Sequence, residues 1–232
     1  MCTLSFVPTE TGFIITSNRD EQVLRPSIAP KIYQRNHQKI LFPKDPKSGG
    51  SWFAAHQNGS VVVLLNGAAE KHEPKPFYKK SRGLIVIELI SKAIPEDFWD
   101  KIRLKNTEAF TIILFRNQQL FQLRWDGFVK EKIEFSTTEA HFWSSSTLYD
   151  AAIRSQRKAW FLAFLNQKKQ ANAQDLIDFH LHTETNNSKN GLIIDRNSLK
   201  TLSVTQVELT KQSLLMSHRD LITNQIYENG FL

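Results

Sequence analysis

Cys2 is the single cysteine of the 232-residue chain and directly follows the initiator methionine. Removal of Met1 would leave a thiol and a free α-amine on one residue. An N-terminal amine has a pKa of about 7.7 to 8.0, so near neutral pH it accepts the thiol's proton directly or through one water. Nucleophile and base then share a residue. Packing offers the other account, with Cys2 as a small apolar residue opening a buried strand. A second group of reactive types stands at Asn18-Arg19-Asp20-Glu21, after the β-branched run Ile14-Ile15-Thr16. A guanidinium beside a cysteine favours the thiolate, while a carboxylate orients the amine and holds its proton during turnover. The same tetrapeptide also reads as a solvated charge cluster where a strand passes into a loop.

Local pairing is enough to bring the two groups together. Thr3 to Val7 and Phe13 to Ser17 are apolar or β-branched runs separated by Pro8-Thr9-Glu10-Thr11-Gly12, which predicts a hairpin. If its strands are antiparallel, Cys2 and Asn18-Arg19-Asp20 share one end of a sheet. A second hairpin is predicted at Trp52 to His56 and Val61 to Leu65, with Asn58-Gly59 supplying positive φ at the turn. Its Val- and Leu-rich strands call for cover on both faces. Lys31 to Phe42 adds short strands or an irregular connection. Ser81 is placed to cap a helix running to Ala93, with Pro95 marking its end. Strands follow at Phe110 to Phe115, Leu120 to Trp125 and Phe128 to Phe135. Helices follow at Tyr149 to Leu165 and Ala171 to Leu181, then closing strands at Gly191 to Asp195, Thr201 to Val207 and Leu221 to Tyr227. Strands, helices and strands in that order predict an α+β layered fold. No repeat or flexible linker divides the chain, so a single domain over 1–232 is expected.

Composition narrows the function classes. Hydrophobic residues at 41% and charged residues at 23% are those of a soluble globular protein. One cysteine cannot form an internal disulfide. Neither a signal peptide nor an apolar run long enough to span a bilayer is present, so a cytoplasmic location is expected. The net charge of +7 raises nucleic acid as a partner. The clusters Lys79, Lys80 and Arg82, Arg154, Arg157 and Lys158, and Lys168 and Lys169 lack interleaved aromatics, however, and read as solvated faces. His180 and His182, two apart on a predicted helix, point to different faces, and His56 and His72 lack neighbouring ligands. No metal and no cofactor is expected, and no phosphate-binding or dinucleotide fingerprint occurs.

Six motifs stand in register through the first 85 residues or so: MCTLSF, TSNRDE with Arg25-Pro26, FPKD, GGSW from Gly49 to Trp52, LLNGA around Asn66, and Ser81-Arg82-Gly83. Weaker matches continue at Ser144 to Asp150 and Thr201 to Val207. Together they resemble the NRDE family, which includes the transport and Golgi organisation 2 proteins. The resemblance implies an N-terminal nucleophile (Ntn) hydrolase fold, a four-layer αββα sandwich similar to the choloylglycine hydrolase and penicillin acylase group. It implies Cys2 as nucleophile, Arg19 and Asp20 as charged partners, and Asn66 as an amide donor to the oxyanion. Asn18, Trp52 and Ser146 are the substrate-binding candidates, Trp52 as the wall of an apolar acyl pocket. Two features depart from the acylase pattern. Ser144-Ser145-Ser146 stands where those enzymes have an Asn-rich turn, and Arg19 and Asp20 are adjacent rather than spaced. Two activities fit the resemblance: hydrolysis or acyl transfer on a small non-peptide amide or thioester with an apolar acyl group, and non-catalytic carriage of a hydrophobic anionic ligand such as haem or acyl-CoA.

Overall fold

The computed structural model describes residues 3–35, 37–168, 170–182 and 187–232. The first strands, β1 (Thr3–Pro8) and β2 (Gly12–Gln22), form the predicted antiparallel hairpin, with Thr3 opposite Asn18 and Ser5 opposite Thr16. Next come β3 (Ile28–Arg35), β4 (Gln38–Lys44), β5 (Phe53–His56) and β6 (Val61–Asn66), helices α1 (Arg82–Ile90) and α2 (Pro95–Lys101), and β7 (Phe110–Arg116), β8 (Gln119–Trp125) and β9 (Lys130–Phe135). The chain returns as β10 (His141–Ser144), α3 (Ala151–Asn166), α4 (Ala173–Leu181), β11 (Asp195–Arg196), β12 (Leu199–Thr210), β13 (Leu214–Asp220) and β14 (Gln225–Phe231).

Contacts divide the chain into two compact units, one formed by the N-terminal segment to Pro26 with Thr138–Leu232, the other by Ser27–Thr137. Each unit is an antiparallel sheet carrying helices. In the first, the order is β10-β1-β2-β12-β13-β14 with β11 beside β12, and α3 and α4 pack on β10, β2 and β12. Val7 and Ile14 of the hairpin meet Phe161 of α3 and Leu176 and Phe179 of α4 in one apolar cluster. In the second, seven strands run in sequence order from β3 to β9, and α1 lies on β5 and β6. β6 is buried from Val61 to Leu65 on alternate faces alike, as its unbroken apolar run requires. Among the described residues no helix is long and apolar enough to cross a membrane.

Several elements differ from the sequence expectation for identifiable reasons. Pro95 does not end the helix before it. α1 stops at Ile90, and Pro95 takes the first position of α2, where its missing N–H is not needed. Phe128 and Val129 belong to a turn rather than to β9, because both backbone amides bond to Asp126 Oδ1 at 2.7 Å. Leu221 to Tyr227 is interrupted by the β13–β14 turn, where the Ile222 and Thr223 amides bond to Asp220 Oδ1. Of Gly191 to Asp195, only Asp195 pairs as strand. At the β5–β6 turn, Gly59 alone has positive φ (84°), and the Asn58 side chain instead accepts the Ser60 amide at 3.0 Å. Ser81 occupies the N-cap position of α1 without a side-chain capping bond. The short strand β10, absent from the sequence expectation, pairs with β1 through Thr3 opposite Ser144.

The glycine motifs have a steric explanation. Ser51 N donates to Gly83 O at 3.1 Å, which draws the GGSW turn against the start of α1. A Cβ on Gly50 would lie 2.3 Å from the Gly83 carbonyl carbon and 2.6 Å from Leu84 N, both backbone atoms. Gly50→Ala is therefore expected to destabilise the protein by at least about 2 kcal/mol. A urea midpoint unchanged from the parent would refute this close approach.

Candidate active site

The NRDE tetrapeptide is not a strand-to-loop cluster. Asn18, Arg19 and Asp20 lie within β2 and are 0%, 2% and 2% exposed, so each needs partners inside the fold. Strand alternation sends them to opposite faces. Asn18 turns toward the helices, where its Nδ2 donates to the carbonyls of His180 and Leu192, both at 2.9 Å. Its Oδ1 meets His180 Nδ1, and His180 Nε2 meets Ser5 Oγ at 2.7 Å. Ser5, His180 and Asn18 have the connectivity of a catalytic triad. All three are fully buried, however, so the arrangement fastens α4 to β1 and β2 instead of presenting a nucleophile.

Asp20, two residues on from Asn18 in the same strand, is on the helix side as well, and an irregularity in the partner strand brings Thr201 to it. The β2–β12 register shifts between Thr201 and Ser203, so Thr201 stands opposite Asp20 and Ser203 opposite Arg19. Thr201 Oγ1 donates to Asp20 Oδ1 at 2.6 Å, and Tyr149 Oη donates to Asp20 Oδ2 at 3.1 Å. Tyr149 in turn lies under the Arg157 guanidinium, with Cζ 4.1 Å from the ring centre. Arg157, read from sequence as part of a solvated basic face, is 0% exposed. It donates to Thr3 Oγ1, to Ser144 Oγ at 3.1 Å, and to the carbonyls of Asn190 (2.8 Å) and Gly191. A buried guanidinium is tolerable when several acceptors and an aromatic face receive it, and here they come from four separate segments. A sequence window around Arg157 contains none of these acceptors.

On the opposite face Arg19 donates to the Arg25 carbonyl at 2.8 Å. Registry places Ser17, Thr205 and His218 in one row of that face, and Arg19, Ser203 and Asp220 in the next. His218 Nδ1 lies 2.8 Å from Thr205 Oγ1. Cys2 is outside the described residues. Its covalent neighbour Thr3 is held by Arg157 and stands opposite Asn18, immediately before Arg19 in the pairing order.

Ser146 is buried two residues after the end of β10. Trp52 and Asn66 belong to the second unit. Trp52 is buried, and its carbonyl accepts the Leu64 amide at 2.8 Å. Asn66 ends β6 opposite Phe110, and Gly67, with φ of 82°, turns the chain away. The Ala109 carbonyl receives both the Gly67 amide (3.1 Å) and Arg82 Nη1 (3.2 Å), so the LLNGA and Ser81-Arg82-Gly83 motifs converge at that sheet end. Among the described residues no group of His, Cys, Asp and Glu is arranged to hold a metal ion.

Burial fixes the charge state of two histidines. The His180 pKa falls to about 3 through desolvation, assisted by the Arg157 charge. The His218 pKa falls to about 4, again chiefly through desolvation, with Asp220 opposing and Arg19 assisting. Both are neutral in the native state at neutral pH, whereas unfolded imidazoles take up protons below about pH 6.5. Their stabilising contribution is thus complete above about pH 6.5 and is lost as pH falls toward the folded values. Unfolding free energy should drop by about 2.7 kcal/mol per pH unit over the steepest part of this range, about half from each histidine. Urea titrations between about pH 6 and pH 4.5 measure this slope. A His218→Gln variant should show roughly half the slope, and a flat wild-type profile would contradict the assignment.

A family model described as Transport and Golgi organisation 2 matches residues 1–226. None of the curated proteins matches the chain. Among solved structures it is similar to an N-acylethanolamine-hydrolyzing acid amidase (NAAA) ortholog from Caenorhabditis elegans, at 11% identity and a TM-score of 0.61, over 88% of this chain and 92% of that one. It is also similar to a mutant conjugated bile acid hydrolase from Clostridium perfringens, at 12% identity and a TM-score of 0.53, over 99% of this chain and 92% of that one. At these identities the likeness establishes the fold, an α+β fold of the Ntn hydrolase type.

Proposed function

From the premise that the chain belongs to the Transport and Golgi organisation 2 family and has a fold of the Ntn hydrolase type, we propose that it is a cysteine amidase or acyltransferase. Its substrate is a small non-peptide amide or thioester with an apolar acyl group, and removal of Met1 activates it. The Cys2 amine takes the thiol proton, and the thiolate adds to the substrate carbonyl carbon. The tetrahedral oxyanion collapses, the amine-held proton passes to the departing amine or thiol, and a thioester remains on Cys2. Water, deprotonated by the same α-amine, then releases the acid and restores the thiol. Arg19 supplies the positive charge that favours thiolate, and Asp20 the carboxylate that steadies the ammonium. Asn66 enters as oxyanion donor through its place in the LLNGA motif. Trp52 and Ser146 enter as contacts to the acyl group and the leaving group, and Asn18 as the residue that holds the end of β2.

The observation that carries this reading is the register of the first hairpin. It sets Thr3 opposite Asn18 and places buried Arg19 next in line, at the sheet end from which the chain leads back to Cys2. Rapid mixing with a chromogenic acyl anilide tests it. A burst of free aniline equal to the enzyme concentration, followed by slower turnover, is the expected record of an acyl-enzyme. Tight stoichiometric binding of haem or acyl-CoA with no aniline release from a panel of acyl lengths would decide for the carrier reading instead.

A further inference from the structure

We propose that one end of the second unit's sheet is a docking surface for an anionic lipid bilayer. Registry defines that end: Asn66 pairs with Phe110, Phe110 with Trp125, and Trp125 with Lys130. Two connections project there. One is the segment between β6 and α1, whose far end is tied to the residues before β7 by Lys79 N donating to Asn106 O at 2.9 Å. The other is the β8–β9 turn, tied to the same place by Trp125 Nε1 donating to Thr107 O at 3.1 Å. Both carry large apolar side chains outward. Phe77 is 77% exposed, Phe128 84% and Val129 65%.

Single exposed apolar residues need no explanation, but paired loop tips with three such side chains at one sheet end are a patch. Phe128 and Val129 are held in place because Asp126 Oδ1 fixes both of their amides, so the turn presents a formed tip. Around these tips stand the exposed Lys71, Lys75, Lys79, Arg103 and Lys105, against the carboxylates Glu70, Glu73 and Asp126. The excess of cations selects the occupant. A second copy of the chain would bring like charge to like charge, whereas a surface of anionic headgroups over acyl chains matches both the cations and the apolar tips. Side chains this exposed also suit insertion into a deformable interface better than closure over a rigid partner.

Co-sedimentation of the full chain with phosphatidylcholine vesicles, with and without about one third phosphatidylglycerol, tests the proposal. Binding should be at least about 10-fold tighter to the anionic vesicles and fall about 10-fold between 0.1 M and 0.5 M NaCl. The Phe77→Ser, Phe128→Ser double variant should lose about 10-fold in affinity with an unchanged melting temperature. Lys71→Glu with Lys75→Glu is an independent second variant and should also weaken binding. Equal binding to both vesicle types would overturn the proposal, as would no binding to either. Binding that survives loss of the phenylalanines, or that heparin reproduces on the double variant, would show mere polyanion attraction and overturn it too.

Discussion

Arg157→Met should lower the stability of the protein by about 3 to 5 kcal/mol, among the largest losses available from one substitution. The guanidinium is fully buried and serves the carbonyls of Asn190 and Gly191, the hydroxyls of Thr3 and Ser144, and the ring of Tyr149. Methionine fills much of the volume but donates nothing, so the half-buried Asn190 carbonyl and the buried Gly191 carbonyl both lose a donor, at about 1 to 3 kcal/mol for the buried one. Lysine keeps the charge without the planar fork, and should recover only part of the loss. Two secondary readouts distinguish this from generic core damage. The His180 pKa should rise when the nearby positive charge is removed, because Arg157 is one of the two causes holding it down. The Thr3 amide, at the start of β1, should exchange with solvent faster, since Arg157 ties the Thr3 side chain to Ser144 of the neighbouring strand β10. Denaturant unfolding and hydrogen exchange make both comparisons. A loss below about 1 kcal/mol would mean that the guanidinium network does not hold that end of the sheet.

Cys2→Ala should abolish turnover, with kcat falling by about 10⁴-fold or more, the order seen when a covalent nucleophile is deleted. Asn66→Ala should fall less, by about 10² to 10³-fold, because an oxyanion donor stabilises a transition state that the nucleophile still reaches. The order of the two losses is informative. A nucleophile deletion removes the covalent route, whereas a donor deletion slows it and leaves the burst visible. Cys2→Ser retains the amine but substitutes a far weaker acid for the thiol, so its activity should lie near that of Cys2→Ala at neutral pH. If Cys2→Ala retains more than about a tenth of the activity, covalent catalysis at Cys2 is wrong.

These two residues mark how far the sequence could be read. The first hairpin is legible because two apolar or β-branched runs about a short polar turn are a local signal, and the structure then pairs Thr3 with Asn18. The buried status of Asn18, Arg19 and Asp20 was not legible. Three polar residues in a row signal solvent unless their partners are known, and the partners here are His180, Leu192, Tyr149, Thr201 and Arg25. The sequence separation of His180 from Ser5 and Asn18 conceals its role as their link. Arg157 is hidden for the same reason, since its neighbours Arg154 and Lys158 point to a solvated face whereas its own side chain is fully buried. The irregularity at Thr201–Ser203, which turns Thr201 toward Asp20, leaves no mark in the sequence of β12. The glycine motifs were recognised as a pattern, and the backbone approach of Gly50 to Gly83 supplies their physical cause.

Intact-mass spectrometry after mixing the native protein with an activated acyl ester tests the central claim most directly. The expected result is a chain beginning at Cys2, one acyl group per chain, and fragment ions placing that group on Cys2 as a hydroxylamine-labile thioester. Retention of Met1 on most of the protein, or an acyl group elsewhere with Cys2 unmodified, would contradict it.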